Sequence, residues 1–475
     1  MEECVYPSLH LDCLISIFSF LSEDDLVTVS YVCKEWYEAA ETPWLWRELC
    51  LHRWGFCNLG QLLCDSEQHT WKRYFLRRSK LEQNMKSGRT GGDYTCKSLR
   101  GHKGRLVGFS YLVENSSVQD SWNCSPVVCS ASSDGTVKAW DIHKAVNLWT
   151  TTGQNPLTAM FTDPQRCLVG ASDNTGTIKL WNGETGEEIA SYSGGSSQCT
   201  LMPFNKDENA FLMVGTVLGS LITLSSPQLT EVSRHMVCDS FKLNVLVSSP
   251  DAKWIIAATK ESSDLSLVVL WSESVCSPVA GEKVVSMNLP VCGCSAAVFL
   301  PSQRSRLAVI HTDGLHDQRT VTVFDLSLKK SLYKEEPQAQ QVESFKLELN
   351  QWHSDLILKA KGSNTLLLTD GNDLKVYTLK GALIATFKDH TQPIISFCVD
   401  NFRVVTASRD LSLRVLTWRN DREAGLTLES QYHLLGGSHS MSRGFSQVEC
   451  DYASIVASVE AVDGKDVLKA YIFNS

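Results

Sequence analysis

Residues 132–141 read SSDGTVKAWD, in which an Asp-Gly turn is followed by alternating apolar and polar residues and then a tryptophan. Similar stretches are TGTIKLWN at residues 175–182 and TASRDLSLRVLTW at residues 406–418. The first two tryptophans, Trp140 and Trp181, are 41 residues apart, a spacing typical of a repeat with four short strands. The sequence therefore predicts an all-β domain built as a β-propeller.

The remaining repeats are eroded, but each keeps an apolar stretch where a third strand would end. Successive ends lie about 41 to 53 residues apart, which favours eight blades, with seven as the alternative. Because an open ring would expose sheet edges, we expect residues 93–99 to form the outermost strand of the last blade. The expected strand ends are Trp140, Trp181, Leu224, Trp271, Phe324, Tyr377, Trp418 and Tyr471.

Together with LRGH at residues 99–102, these stretches resemble WD repeats, although Asp-His stands in for Gly-His at residues 389–390. The resemblance implies a buried hydrogen-bonded set of four side chains in a well-preserved blade. In the first blade this set is His102, Ser132 (or Ser130), Asp134 and Trp140, and in the late blade it is His390, Ser408 (or Thr406), Asp410 and Trp418. A His-Ser-Asp set also occurs in hydrolases. Its recurrence in separate repeats, without a G-x-S-x-G motif, indicates a structural role and no enzyme activity.

The first fifty residues have a helical period instead. Apolar residues fall in steps of three and four from Leu11 to Leu21, which predicts an amphipathic helix. Ser22 with Asp25 has the form of a capping box, and Thr42 followed by Pro43 is a second helix start. Three short helices cannot bury all of their apolar faces against one another, so we expect a partner surface.

Five ordered stretches of this segment resemble an F-box: PSL (7–9), IFSFL (17–21), DL (25–26), VCKEW (32–36) and LWR (45–47). The resemblance implies that the apolar face of these helices packs on a Skp-type adaptor, which in turn links to a cullin and a RING protein. The alternative is an ordinary helical cap on a larger domain. The implied adaptor-binding residues are Pro7, Leu9, Leu11, Leu14, Ile17, Phe18, Leu21, Leu26, Val29, Val32, Trp36, Leu45 and Trp46.

Residues 51–92 are predicted to be a helical linker between an F-box at 1–50 and a propeller at 93–475. Aromatic and basic residues alternate around Trp71, Tyr74 and Phe75, a pattern that can bind nucleic acid. The same pattern suits a helix that buries its aromatic residues while its charges face water, and we favour that interpretation. The SGRTGG stretch at 87–92 predicts a loop at the domain boundary.

Bulk composition excludes several classes of protein. The net charge of −9 and a pI near 5.8 argue against a nucleic-acid binder, and no apolar stretch is long enough for a membrane span. The 17 cysteines are scattered, and Cys292 with Cys294 lacks a second pair at zinc spacing. We therefore expect reduced thiols, no metal, no cofactor, and a location in the cytoplasm or nucleus.

An F-box followed by WD repeats resembles the F-box/WD-repeat family of cullin-RING ubiquitin ligase substrate receptors. Residues 70–76, 211–215 and 450–456 resemble one member of it in particular. The resemblance implies a non-catalytic subunit whose propeller binds a protein substrate, with Arg409 as a candidate substrate-binding residue. The alternatives are a solvated surface arginine at 409, an F-box scaffold that delivers no substrate for degradation, and a WD-repeat platform for chromatin or RNA.

Overall fold

The computed structural model describes residues 9–54, 71–112, 126–153, 155–279, 281–313, 318–330, 335–349, 355–421, 425–436 and 441–475. Within these ranges the chain divides into two compact units. One unit is helical and holds residues 9–95 with residues 473–475. The other holds residues 96–472 and consists almost entirely of strands.

The helical unit contains five helices within the described residues. They are α1 (Leu11–Phe18), α2 (Glu23–Val29), α3 (Lys34–Ala40), α4 (Pro43–Trp54) and α5 (Trp71–Ser87). The Ser22 hydroxyl caps α2 by accepting a hydrogen bond from the Asp25 amide at 3.3 Å, and α4 begins at Pro43, as the sequence signals predict.

The structure has one more helix in the first fifty residues than the three that we expected, because α2 and α3 are separate. The Ser30 hydroxyl donates to the Val27 carbonyl at 2.6 Å, and the amides of Tyr31 and Val32 close tight turns onto the carbonyls three residues earlier. Cys33 is then extended and starts α3. The three-to-four-residue apolar period continues across this break, so the period alone does not reveal it.

Eight four-stranded antiparallel sheets make up the second unit in the part of the chain that the structure describes. We number them as blades 1 to 8, and in each the strands follow the order of hydrogen bonding. Blades 1 to 4 are β2 (Leu106–Tyr111), β3 (Val127–Ser132), β4 (Val137–Asp141), β5 (Val146–Thr150); β6 (Leu157–Asp163), β7 (Leu168–Asp173), β8 (Ile178–Asn182), β9 (Glu188–Tyr192); β10 (Thr200–Lys206), β11 (Asn209–Gly215), β12 (Ser220–Ser226), β13 (Glu231–Met236); and β14 (Val245–Ser248), β15 (Trp254–Ala258), β16 (Ser266–Trp271), β17 (Ser286–Cys292). A short helix, α6 (Ser272–Cys276), follows β16.

The second half of the chain supplies the other blades. Blades 5 to 8 are β18 (Cys294–Phe299), β19 (Arg306–Asp313), β20 (Gln318–Lys330), β21 (Glu335–Lys346); β22 (Leu358–Lys361), β23 (Thr365–Asp370), β24 (Asp373–Thr378), β25 (Leu383–Phe387); β26 (Ile394–Val399), β27 (Arg403–Ser408), β28 (Ser412–Asp421), β29 (Gly425–Leu435); and β30 (Ser442–Cys450), β31 (Ser454–Ala461), β32 (Val467–Phe473), β1 (Tyr94–Leu99). The expected strand ends all lie in the third strand of a blade, and eight blades are present.

Blade 8 closes the ring with strands from both ends of the chain. β1 pairs with β32, as the sequence predicts for the outermost strand of the last blade. The first strands of successive blades contact one another from β2 to β30, and β30 contacts β2 again. Each large buried cluster joins two neighbouring blades; between blades 8 and 1 it includes Phe109, Trp140, Val456 and Leu468. Burial between blades therefore holds the ring together.

None of the helices among the described residues is long and apolar enough to cross a bilayer.

Candidate functional site

Helices α1 to α4 and the turns between them expose many large apolar side chains. Phe20 is 89% exposed and Tyr31 is 84% exposed. Such a concentration over so short a segment is typical of protein-interaction surfaces. We call this set the helical apolar face: Leu9, Leu11, Ile17, Phe20, Tyr31, Val32, Tyr37 and Trp44.

The residues that the F-box resemblance implied divide into three groups. Leu9, Leu11, Ile17 and Val32 are exposed, whereas Leu21, Val29 and Trp36 are half-buried. Leu14, Phe18, Leu26, Leu45 and Trp46 are buried in the core of the helical unit. Phe18 packs edge-on against Trp36 with ring centroids 5.5 Å apart. Pro7 lies outside the described residues.

Four residues of the helical apolar face were not among those expected: Phe20, Tyr31, Tyr37 and Trp44. Phe20 and Tyr31 lie in turns just after α1 and α2, where the helical period no longer applies. A large aromatic residue in such a turn is the sequence signal that could have identified them, because it has no helix face on which to be buried.

A groove runs beside Phe20 and Trp44. It has a volume of about 360 Å³, and Phe18, Leu26 and Leu45 lie among the residues that line it. Glu48 and His52 of α4 contribute polar groups at its edge. An apolar groove with a few polar groups can receive side chains from a partner helix or loop.

The aromatic residues of α5 serve internal packing. Phe75 packs between Trp46 and Trp54, with ring centroids 5.7 and 5.1 Å away. The buried Arg78 guanidinium lies 4.5 Å from the centre of the Trp54 ring and donates a hydrogen bond to the Tyr74 hydroxyl at 2.7 Å. Because these rings already contact one another, they do not form a platform on which bases could stack.

In blade 1 the structure brings His102, Ser130, Asp134 and Trp140 together. His102 Nδ1 is 3.3 Å from the Asp134 carboxylate and Nε2 is 2.8 Å from Ser130 Oγ, which also accepts a hydrogen bond from Trp140 Nε1 at 2.8 Å. The expected residue Ser132 is not part of this set. Its hydroxyl accepts from the Asp134 amide at 3.2 Å and so stabilises the turn instead.

Burial controls the charge of this set. It lowers the pKa of His102, although the Asp134 carboxylate opposes the shift. Burial would also raise the pKa of Asp134, but hydrogen bonds from Thr136 and from the Lys103 amide outweigh it and lower that pKa. At neutral pH the histidine is therefore neutral and the aspartate is charged. The hydrogen bonds among the four side chains make the set a clamp within the blade.

Blade 7 has a partial copy of the clamp. His390 Nδ1 lies 2.9 Å from Asp410, and Nε2 lies 2.7 Å from Thr406 Oγ1, so Thr406 and not Ser408 occupies the middle position. Trp418 is also outside the set, since its Nε1 donates to the Asp400 carbonyl at 3.1 Å. Trp418 lies eight residues after the turn aspartate rather than the six found in blade 1, which moves its ring about 7 Å farther along the strand.

Arg409 is exposed in the turn between β27 and β28. Gly444 at the start of blade 8 has φ +122°, and a Cβ there would lie only 2.4 Å from the Arg409 Cα, so the two backbones are in direct contact. The structure thereby places the exposed Arg443 beside Arg409. A comparison of the residues that precede the turn aspartate in each blade does not identify Arg443, because Arg443 lies on the first strand of blade 8 and not in such a turn.

The family model described as "F-box-like" matches residues 11–52. The chain is 28% identical over 465 residues to human F-box/WD repeat-containing protein 12, covering 97% of each chain. It is 24% identical over 471 residues to F-box/WD repeat-containing protein 15 of Mus musculus, covering 98% of this chain and 99% of the relative. Protein 12 is the family member that residues 70–76, 211–215 and 450–456 resemble in the sequence.

The fold is similar to the crystal structure of the computationally designed Ika8 protein, with a TM-score of 0.55 and 19% identity, over 79% of this chain and 98% of the designed one. An F-box-like segment precedes an eight-bladed propeller in the sequence, and the chain is similar over nearly its full length to two F-box/WD repeat-containing proteins.

Proposed function

We propose that this chain is the substrate-recognition subunit of a Skp-cullin-F-box ubiquitin ligase. The helical apolar face docks on a Skp-type adaptor, which links the chain to a cullin and a RING protein, and the propeller binds the protein to be ubiquitinated. The observation that carries the proposal is the exposure of this face within the segment that matches the F-box-like family.

The exposed face has the energetic character of a docking surface. Burying one large apolar side chain contributes about 1.5–3 kcal/mol, and eight such side chains are exposed here. Phe20 and Trp44 stand beside the groove between α1 and α4, so a partner side chain that enters the groove would contact both. Aromatic anchors beside a pocket are typical of the few residues that dominate binding energy.

The chain itself performs no chemistry in this proposal. It raises the effective concentration of the substrate near the ubiquitin-charged enzyme on the cullin scaffold. We propose the domain limits 1–50, 51–92 and 93–475 and a cytoplasmic or nuclear location, where adaptor and cullin partners are found. Arg409, together with Arg443, is proposed to contact acidic groups of the substrate.

The test is binding of the full chain to purified Skp-type adaptor with Phe20 changed to aspartate. Losing the burial of one large aromatic side chain should weaken binding by roughly 30-fold, from about 2 kcal/mol at 1.4 kcal/mol per factor of ten. Leu76→Asp is the matched control, because Leu76 is exposed on α5 outside the helical apolar face. Changes at Leu14 or Phe18 would be unsuitable, since both lie in the core.

Equal loss of binding in Phe20→Asp and Leu76→Asp, or failure of the unchanged chain to bind any Skp-type adaptor, would contradict the proposal. Proteins that accumulate on depletion of the chain, and fall again when the unchanged chain but not Phe20→Asp is restored, distinguish a substrate receptor from a scaffold.

A further inference from the structure

A groove of about 450 Å³ opens between the end of blade 7 and blade 8 of the propeller. Its lining includes Val459 and Ala461 of β31, Val467 of β32, and Met441 just before β30. Gly436, which follows β29, also lines it, and a Cβ there would lie 2.6 Å from the ring of the buried Phe445. The floor of this groove, which we call the blade 8 groove, is therefore apolar.

Exposed apolar side chains occur in and next to the lining of the blade 8 groove. Met441 lines the groove and is 62% exposed. Leu435 and Val462, which adjoin the lining residues Gly436 and Ala461 in sequence, are 63% and 51% exposed. The Val462 amide donates a hydrogen bond to the Met441 carbonyl at 3.2 Å, which fixes these two residues next to each other. Three large apolar residues around an apolar groove form a patch of the kind that marks a binding site.

The walls of the groove are basic. Arg100, Lys465 and Lys469 line it, and none of the three forms an ion pair with a described residue; Lys469 donates to the Ser98 hydroxyl at 2.8 Å. Of the two acidic residues, Asp466 is buried and accepts hydrogen bonds from the amides of Leu106 and Ala461, at 2.9 and 3.0 Å.

Asp463 is exposed, and its carboxylate accepts a hydrogen bond from the Lys465 amide at 3.1 Å. His102 also lines the groove, but its ring is held within the blade 1 clamp and is neutral at neutral pH because burial lowers its pKa. Arg443 follows the lining residue Ser442, and Arg409 lies against Gly444. Among the lining residues, the three cations outnumber the two carboxylates.

We propose that the blade 8 groove binds an extended acidic segment of the substrate protein, with one large apolar side chain in the groove and flanking carboxylates near Arg100 and Lys465. The apolar side chain covers the apolar floor, while the carboxylates neutralise Arg100 and Lys465, which form no ion pair with a described residue. This inference rests on the proposed function, since it assigns the part of the propeller that recognises the substrate.

Carboxylates fit this groove better than a phosphate group does. A phosphate site needs several donors that converge on one group, usually from more than one arginine. Here the cations come from three separate elements, namely the turn after β1, the turn after β31 and the strand β32. Separate cations suit separate carboxylates along an extended chain.

The test is selection of a displayed random-peptide library on the full chain, followed by affinity measurements with one selected peptide. We expect enrichment of peptides in which an apolar residue is flanked by Asp or Glu. Val462→Asp should weaken binding of the selected peptide by about tenfold or more, the effect of losing the burial of one valine side chain. Lys465→Glu should also weaken it.

Two matched variants control for charge and position. Val462 and Lys465 lie in the turn between the second and third strands of blade 8. Leu218, which is 66% exposed in the same turn of blade 3, matches Val462, and Lys260, which is exposed in the same turn of blade 4, matches Lys465. Leu218→Asp and Lys260→Glu should bind the peptide as the unchanged chain does. A library that yields no acidic-apolar peptides, equal effects of Val462→Asp and Leu218→Asp, or binding only after the carboxylates are replaced by phosphoserine would each overturn the proposal.

Adaptor binding measured on the same variants separates the two proposals. If the groove variants and the unchanged chain bind the adaptor alike while no peptide is selected, the groove assignment fails and the proposed function stands. If peptides are selected but the adaptor does not bind, the proposed function fails and the groove remains a peptide site.

Discussion

Changing Ser130 to alanine removes the central group of the blade 1 clamp. Ser130 Oγ accepts from Trp140 Nε1 at 2.8 Å and lies 2.8 Å from His102 Nε2, and Ser130 is fully buried. The substitution leaves two buried nitrogens without their partner. Each such group costs about 1–3 kcal/mol, so the free energy of unfolding should fall by roughly 3 kcal/mol.

Ser132→Ala is the matched comparison. Ser132 is also fully buried and lies on the same face of β3, but its hydroxyl accepts only the Asp134 amide at 3.2 Å. Its loss should cost about 1 kcal/mol, the net contribution of a single neutral hydrogen bond. Both substitutions remove one hydroxyl group from a serine of the same strand, so the change in side-chain volume is the same.

Urea denaturation followed by circular dichroism measures the difference between the two variants, with the midpoint compared at equal slope. We expect the Ser130→Ala midpoint to fall clearly below that of Ser132→Ala. If Ser132→Ala is equally or more destabilising, the hydrogen bonds of Ser130 to His102 and Trp140 do not stabilise the blade.

Two other predictions concern the propeller. Burial lowers the pKa of both His102 and His390 in the folded chain. The unfolded chain therefore binds more protons below about pH 6.5, so the free energy of unfolding should fall as the pH is lowered from about 7.5 to about 5.5. A urea midpoint that rises as the pH is lowered over that range would contradict this prediction. Deletion of residues 466–475 removes β32 and leaves β1 and β31 without their shared neighbour. Thermal unfolding should then lose its cooperative propeller transition, and limited proteolysis should cut within blade 8. Deletion of Ser475 alone should have neither effect.

The helical apolar face is only partly predictable from the helical period of the sequence. The steps from Leu11 to Leu21 correctly predict a helix, but a period identifies one apolar side without telling whether the protein itself or a partner covers it. The structure assigns Leu14 and Phe18 to the core and Ile17 to the surface. The most exposed large apolar residues in the described part of the chain, Phe20 and Tyr31, lie in turns to which the helical period does not extend.

The groove between blades 7 and 8 could not be inferred from sequence at all. Its residues come from the chain before β2, the end of blade 7 and three strands of blade 8, and only ring closure brings residue 100 next to residue 465. Ring closure itself was predictable, because sheets avoid open edges. The identity of the side chains that meet where the ring closes was not predictable.

By itself, the sequence favoured eight blades over seven and determined the strand that closes the ring and the starts of α2 and α4. These features depend on local signals: a repeat length, a cap and a proline at the first helical position. Only the tertiary structure decided that Ser130 and Thr406 occupy the clamps. Ser130 and Ser132 are two residues apart and point to the same face of β3, so strand alternation cannot separate them. Ser130 belongs to the clamp because His102, which lies before β2, places its Nε2 atom within 2.8 Å of Ser130 Oγ.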